Sequence, residues 1–174
     1  MSSKFISTLV NSIAEDRSKD NILFWREKLI NKPDAIPHVV PHIFEAKPTI
    51  GFRYAWLLEH LADARPDLAS IVCEPLFNRR DEAQFEGYKR SLMKLMTLTG
   101  VPEDLEGEVV SVCFDWLINP EIEVAIKVHS MQVIFNLLGK YPDLTNEFKM
   151  VVEEQMELCS IAFRARAKRL LKKL

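Results

Sequence analysis

Apolar residues recur with the period of a helix along most of the chain. Phe5, Leu9 and Ile13 lie four residues apart, which places them on one helix face. A second helix is predicted from Ser18, its N-cap candidate, to Ile30. The same spacing predicts further helices over residues 49–64, 67–78, 81–99, 103–118, 121–140, 143–158 and 160–173. No segment shows the sustained alternation of a β-strand, so the pattern predicts an all-α fold.

Prolines mark the boundaries of these helices. Five are expected at helix starts, where a missing amide hydrogen costs least: Pro48, Pro66, Pro102, Pro120 and Pro142. Residues 34–46 contain two more prolines and are expected to form a kinked or 3₁₀-like helix. In the second helix, Ile22, Trp25 and Leu29 are expected to face the core.

A short sequence that follows a predicted helix occurs more than once in the chain. The sequence Pro-Asp-Leu occupies residues 66–68 and again 142–144, a separation of 76 positions, or two units of about 38. Halfway between them, Pro102 and Leu105 form a related ending with one extra residue. A helical hairpin copied at this interval predicts an array in which each hairpin packs on the next. The alternative is chance similarity within an all-α bundle.

Residues 120–138, PEIEVAIKVHSMQVIFNLL, resemble the first helix of a HEAT repeat, with Ile126-Lys127 followed by Ser130. Residues 52–61, FRYAWLLEHL, are a looser copy. The chain is similar to HEAT/armadillo-type proteins, among them short bacterial HEAT-like proteins. This resemblance implies a right-handed α-α superhelix of about four hairpins in a single domain, residues 1–174. Its expected parts are an irregular first unit at 1–48, repeats at 49–158 and a basic capping helix at 159–174.

Composition places the chain among soluble globular proteins, with 48% apolar and 28% charged residues and a formal net charge of −2. The cysteines Cys73, Cys113 and Cys159 are odd in number and form no C-x-x-C pair, which is typical of reduced thiols in the cytoplasm. The first twenty residues make a poor secretory signal, and no apolar run is long enough to span a membrane. We therefore expect a cytoplasmic protein.

Two groups of residues that include histidine are candidates for a chemical site. His38 and His42 stand four residues apart with Glu45 following, a spacing that can bind zinc, although Pro41 distorts the turn between them. Glu59, His60 and Asp63 form the best acid–base cluster, but adjacent residues on a helix point in different directions. A structural role is the simpler interpretation of both groups, so we predict no metal site and no catalytic residues.

Sequence motifs of several enzyme classes are absent. No phosphate-binding loop, dinucleotide-binding glycine motif or nucleophile elbow occurs, so no cofactor is predicted. Some proteins similar to this one carry an adenylosuccinate lyase label, but the S-S-x-M-P-x-K-x-N loop of that superfamily is not found here. We predict that the chain is not an enzyme.

Charge is distributed unevenly along the second half. Residues 95–126 contain seven acidic side chains and no lysine or arginine. The last fifteen residues contain six bases and no acidic side chain: Arg164, Arg166, Lys168, Arg169, Lys172 and Lys173. The simplest interpretation is a terminal helix with a polar outer face. The alternatives are contact with nucleic acid, with an anionic membrane, or with an acidic protein.

The predicted function is that of a non-enzymatic scaffold or adaptor that binds a partner protein on the concave face of the helical stack. A nucleic-acid-binding protein that uses the C-terminal bases is the alternative, and an enzyme centred on Glu59, His60 and His129 is a third hypothesis. We expect a monomer or a weak homo-oligomer. The candidate interaction residues are Arg53, Glu59, His129, Arg164, Arg166, Lys168, Arg169, Lys172 and Lys173.

Overall fold

The computed structural model describes residues 2–83, 85 and 87–174, and for residues 2 and 3 it describes only the backbone. Every regular element in the described part of the chain is an α-helix or a short 3₁₀ turn, which confirms the predicted all-α fold. Internal contacts divide the chain into two compact units, one that ends at Thr99 and one from Gly100 to Leu174. The single domain remains a prediction.

The first unit contains seven α-helices within the described residues. They are α1 (Ser2–Glu15), α2 (Lys19–Ile30), α3 (Val40–Glu45), α4 (Pro48–Ala64), α5 (Pro66–Ala69), α6 (Cys73–Asn78) and α7 (Gly87–Thr99). Single 3₁₀ turns at Pro33–Ala35 and Pro37–Val39 precede α3, which confirms the irregular segment predicted there. A third turn, Ser70–Val72, joins α5 to α6. Helix α4 is central, because α1, α2, α3, α5 and α7 all pack against it.

The start of α2 follows the sequence signals closely. The Ser18 side chain accepts a hydrogen bond from the Asn21 amide at 3.2 Å, as an N-cap residue does. Ile22, Trp25 and Leu29 are buried, so the predicted inward face is confirmed.

The second unit contains α8 (Glu106–Ile118), α9 (Val124–Leu137), α10 (Thr145–Leu158) and α11 (Ile161–Leu171). Two 3₁₀ turns, Glu103–Leu105 and Pro142–Leu144, lead into α8 and α10. Helix α8 packs against α9 and α10, and α11 packs against the same two helices. Each helix of this unit therefore buries its apolar face on at least two neighbours.

The repeated ending forms the same local structure at both places. Arg65 has φ −143° and ψ 76°, and Tyr141 has φ −123° and ψ 70°. The carbonyl of each accepts a hydrogen bond from the leucine of the motif, Leu68 at 3.1 Å and Leu144 at 3.2 Å. The proline then starts a helical turn with its fixed φ. The repeated Pro-Asp-Leu sequence therefore forms the same turn at both places in the chain.

Several predicted helix boundaries were wrong. The helix predicted at 67–78 is interrupted by the turn Ser70–Val72, the one predicted at 121–140 ends at Leu137, and Pro120 lies in a turn and not at a helix start. The helix predicted from residue 81 begins at Gly87, after a turn that includes Asp81 and Glu82; residues 84 and 86 of that prediction lie outside the described part. The helix predicted from residue 121 begins at Val124. There the Asn119 side chain accepts a hydrogen bond from the Glu121 amide at 2.9 Å, which closes a turn and delays the helix.

A close approach between α3 and α4 requires a glycine. A Cβ atom added at Gly51 would clash with the backbone carbonyl oxygen of Ile43. Backbone atoms cannot move aside as a flexible side chain can, so Gly51 allows the two helices to touch.

We predict that Gly51→Ala lowers the free energy of unfolding by about 1–3 kcal/mol, because the added methyl group forces α3 away from α4. The control is Gly107→Ala in α8, where nothing lies within 4 Å of the added atom. That change is expected to raise stability by about 0.5–1 kcal/mol through helix propensity. Urea denaturation measures the free energy of unfolding of both variants. Equal effects at the two positions would show that the close contact between Gly51 and Ile43 does not contribute to stability.

Candidate interaction surface

Arg53 serves a structural purpose in the first unit. It projects from α4 and donates from Nη1 to the carbonyl oxygens of Ile13 at 2.8 Å and Ala14 at 2.9 Å. These carbonyls belong to the last turn of α1, where no helical partner remains for them. Arg53 therefore joins the end of α1 to α4, and its charge complements the negative end of the α1 dipole.

Glu59 is buried and joins α4 to α7. Its carboxylate accepts hydrogen bonds from the buried Ser91 hydroxyl and from Lys94 Nζ, the latter at 2.9 Å. The exposed carboxylate of Asp63 lies 3.8 Å from the same ammonium group. A buried carboxylate that is both paired and hydrogen-bonded avoids the cost of an isolated charge.

The side chains of His60 and Glu59 have different neighbours. The imidazole of His60 packs against Trp56, with 5.3 Å between ring centroids. Burial lowers the pKa of His60, and the charges of Lys19 and Lys94 add to that effect against the opposing pull of Asp63 and Glu59. A neutral imidazole is therefore favoured. His129 lies half-buried in α9 of the second unit.

His38 and His42 line an open groove. His38 lies in a 3₁₀ turn and His42 in α3, and the groove between them and α1 has a volume of about 760 Å³. The ring of His42 lies 5.6 Å from that of Tyr54. Across residues 2–83, 85 and 87–174, no three His, Cys, Asp or Glu side chains are placed to bind one metal ion.

Sequence reasoning missed a polar cluster in the second unit. Glu106 is buried at the start of α8, and its Oε2 accepts hydrogen bonds from Lys140 Nζ at 2.7 Å and from the Tyr141 hydroxyl at 2.6 Å. Lys140 also donates to Glu103 at 3.0 Å. The hydrogen bonds from Lys140 and Tyr141 lower the pKa of Glu106. Because the partners lie about 35 residues apart, no local pattern could reveal the cluster.

Lys127, the basic residue of the HEAT-like step, lies inside the second unit. It is buried, and its Nζ donates to Oε1 of the buried Gln155 at 3.1 Å. This contact ties α9 to α10. Like Arg53 and Glu59, Lys127 connects neighbouring helices.

The C-terminal bases are mostly exposed. Helix α11 is N-capped by Ser160 and buries Phe163, Ala167 and Leu170. Arg166 is the exception among the bases, since it is half-buried and donates from Nη2 to Gln132 Oε1 at 2.6 Å. The exposed bases are Arg164, Lys168, Arg169, Lys172 and Lys173.

We call the exposed row of Ile161, Arg164, Lys168 and Lys172 the basic face of α11. With Ala165, the first three of these side chains line a shallow depression of about 410 Å³. Ile161, which lines it, has 79% of its surface exposed, and Leu158, three residues earlier in the chain, has 74%. Exposed apolar groups next to charged groups are typical of a docking surface.

A protein-family model for the HEAT repeat domain matches residues 6–174. The chain belongs to the HEAT repeat family. The match confirms the resemblance and, with the all-helical structure, the predicted helical-repeat fold. No curated protein and no solved structure matches the chain. HEAT repeats commonly mediate protein interactions and are typically not enzymes. No helix in the described part of this HEAT protein is long and apolar enough to cross a membrane.

We predict that Glu59→Ala lowers the free energy of unfolding of this HEAT protein by about 2 kcal/mol, because the buried Ser91 hydroxyl loses its partner. Asp63→Ala is the matched control on the same helix. Its carboxylate is exposed and more distant from Lys94, so a change within about 0.5 kcal/mol is expected. Thermal or chemical denaturation compares the stability of the two variants. A larger loss of stability in Asp63→Ala than in Glu59→Ala would contradict the structural role given to Glu59.

We also predict that the stability provided by Glu106 depends on pH. Its pKa is lower in the folded state, so its contribution is fully present above the ordinary carboxyl pKa and is lost as the pH falls through the folded value. Glu106→Gln should therefore be most destabilising at neutral pH, and the difference from the unmodified protein should shrink in acid. Glu103→Gln, at an exposed position, should show a smaller difference. Urea titrations from pH 7 to about pH 3 measure both.

Proposed function

We propose that this chain is a non-enzymatic scaffold or adaptor that binds a partner protein. Membership of the HEAT repeat family supports this proposal, since such repeats commonly mediate protein interactions. The observation that carries it is the basic face of α11, which combines exposed positive charge with exposed apolar surface. A partner suited to this face presents acidic side chains around an apolar residue.

The inner side of α11 holds that face in place. Phe163, Ala167 and Leu170 are buried, and Arg166 is tied to Gln132 of α9. The helix is thus fixed on the unit before any partner arrives, and binding would require little ordering of the backbone. The outward bases keep their side-chain freedom and can adjust to a partner.

The polar residues that suggested chemistry have partners on neighbouring helices, which supports a structural role. Arg53 binds the end of α1, and Glu59 binds Ser91 and Lys94. A catalytic site requires a base, a nucleophile or an electrophilic group that converges on one point. Glu59 and His60 point to different neighbours, which supports a scaffold in preference to an enzyme.

We propose a cytoplasmic location on the basis of the thiols. Burial raises the pKa of Cys73 to about 11 and that of Cys113 to about 12, so both stay protonated. Cys73, Cys113 and Cys159 form no disulfide, as expected in a reducing compartment. That the partner lies along the concave face of the helical stack also remains a prediction.

The test is capture of partners by the immobilised full chain, followed by quantitative mass spectrometry. Arg164→Glu/Lys168→Glu should remove bound acidic proteins, because it reverses the charge of the basic face. Lys4→Glu/Arg17→Glu, exposed positions in the first unit, makes the same change in net charge and should leave capture unaltered. If both variants retain the same partners as the unmodified chain, the basic face is not the docking surface.

Nucleic-acid binding is the second candidate, because the same exposed bases could contact phosphates. Fluorescence anisotropy with single-stranded RNA and duplex DNA separates the two functions. The scaffold proposal predicts no binding at physiological salt. Binding that weakens steeply with salt, and that Arg164→Glu/Lys168→Glu abolishes, would favour the nucleic-acid function instead.

A further inference from the structure

We propose that the acidic partner of the basic face of α11 is helix α8 of a second copy of this chain, paired antiparallel to α11. The inference rests on the proposed function, since it names the partner of the same surface. The observations that carry it are an exposed acidic face on α8 and its match in spacing to the basic face.

The acidic face of α8 consists of Glu108, Asp115 and Ile118. Glu108 and Asp115 are two turns apart, so they share one side of the helix, and Ile118 follows three residues later on that side. All three side chains are exposed, Ile118 with 53% of its surface. This acidic face therefore ends in an apolar residue.

The basic face of α11 has the reverse order. It begins with the apolar Ile161 and continues with bases at Arg164, Lys168 and Lys172. An isoleucine thus stands at the C-terminal end of the face on α8 and at the N-terminal end of the face on α11. Two such faces fit when the helices run antiparallel, because a parallel arrangement would place each isoleucine against a charged side chain.

The spacing of charges fits the antiparallel arrangement. With Ile118 opposite Ile161, Asp115 lies three residues before Ile118, and Arg164 lies three residues after Ile161. Glu108 lies about 15 Å along its helix from Ile118, and Lys172 about 16.5 Å along its helix from Ile161, at 1.5 Å per residue. The difference between these two distances is small enough for the flexible side chain of Lys172 to span. The ion pair between Asp115 and Arg164 and the apolar contact can therefore form together, with the negative charge of Glu108 near Lys172.

The pairing must join two molecules. Both faces are exposed in the single chain, so neither is covered by the other within one molecule. Each copy carries one face of each kind, so every copy can take part in two such contacts. Since exposed ion pairs are weak and screened by salt, we expect association that grows with protein concentration and declines with ionic strength.

Sedimentation velocity of the full chain over a wide range of concentrations tests the proposal. The unmodified protein should associate at low salt. Asp115→Arg alone and Arg164→Asp alone should each weaken association by at least about tenfold, because each places like charges together. The double variant Asp115→Arg/Arg164→Asp should restore it, since the pair is re-formed with its charges exchanged. Circular dichroism shows whether each variant keeps its helices.

Helix α10 supplies the control, because it also exposes acidic residues, among them Glu154. Glu154→Arg should leave self-association unchanged. The proposal is overturned if the unmodified chain stays monomeric at every concentration, if Glu154→Arg and not Asp115→Arg weakens association, or if the double variant fails to recover while remaining folded. Capture of a different acidic protein through Arg164 and Lys168 would leave the proposed function standing, whereas loss of both kinds of binding would remove it.

Discussion

An isolated amphipathic helix cannot bury its apolar side alone, and this constraint governs both units of the structure. Helix α4 is enclosed by five other helices, and α9 packs against α8, α10 and α11. Contact with neighbours removes the apolar faces from water, which is the main driving force for folding. The same contacts decide which polar side chains are drawn inward and which remain available to a partner.

The inward polar groups act as links between helices. Arg53, Glu59 and Lys127 each satisfy a group on a neighbouring helix, and Glu106 binds the turn that follows α9. Such residues look functional in a sequence because they are charged and lie among apolar residues. Their contacts link neighbouring helices, and the proposed function therefore uses the exposed charges of α11.

Sequence alone predicted those features that depend on local chemistry. Three such predictions depend only on neighbouring residues and were confirmed. They are the Ser18 cap, the irregular proline-containing segment before α3 and the repeated turn at Pro142. The late start of α9 was missed, because an asparagine turn at Asn119 outweighs helix propensity there. The polar links were not predictable, since their partners lie about 30 to 40 residues away and meet only after the helices pack.

Hydrogen exchange of the backbone amides in the intact chain tests the central claim, that packing between neighbouring helices supports each unit. The account predicts the slowest exchange in α4 and α9, which are covered by the most neighbours, and faster exchange toward the C-terminal end of α11. Slow exchange confined to α11, or uniformly fast exchange through α4 and α9, would contradict it.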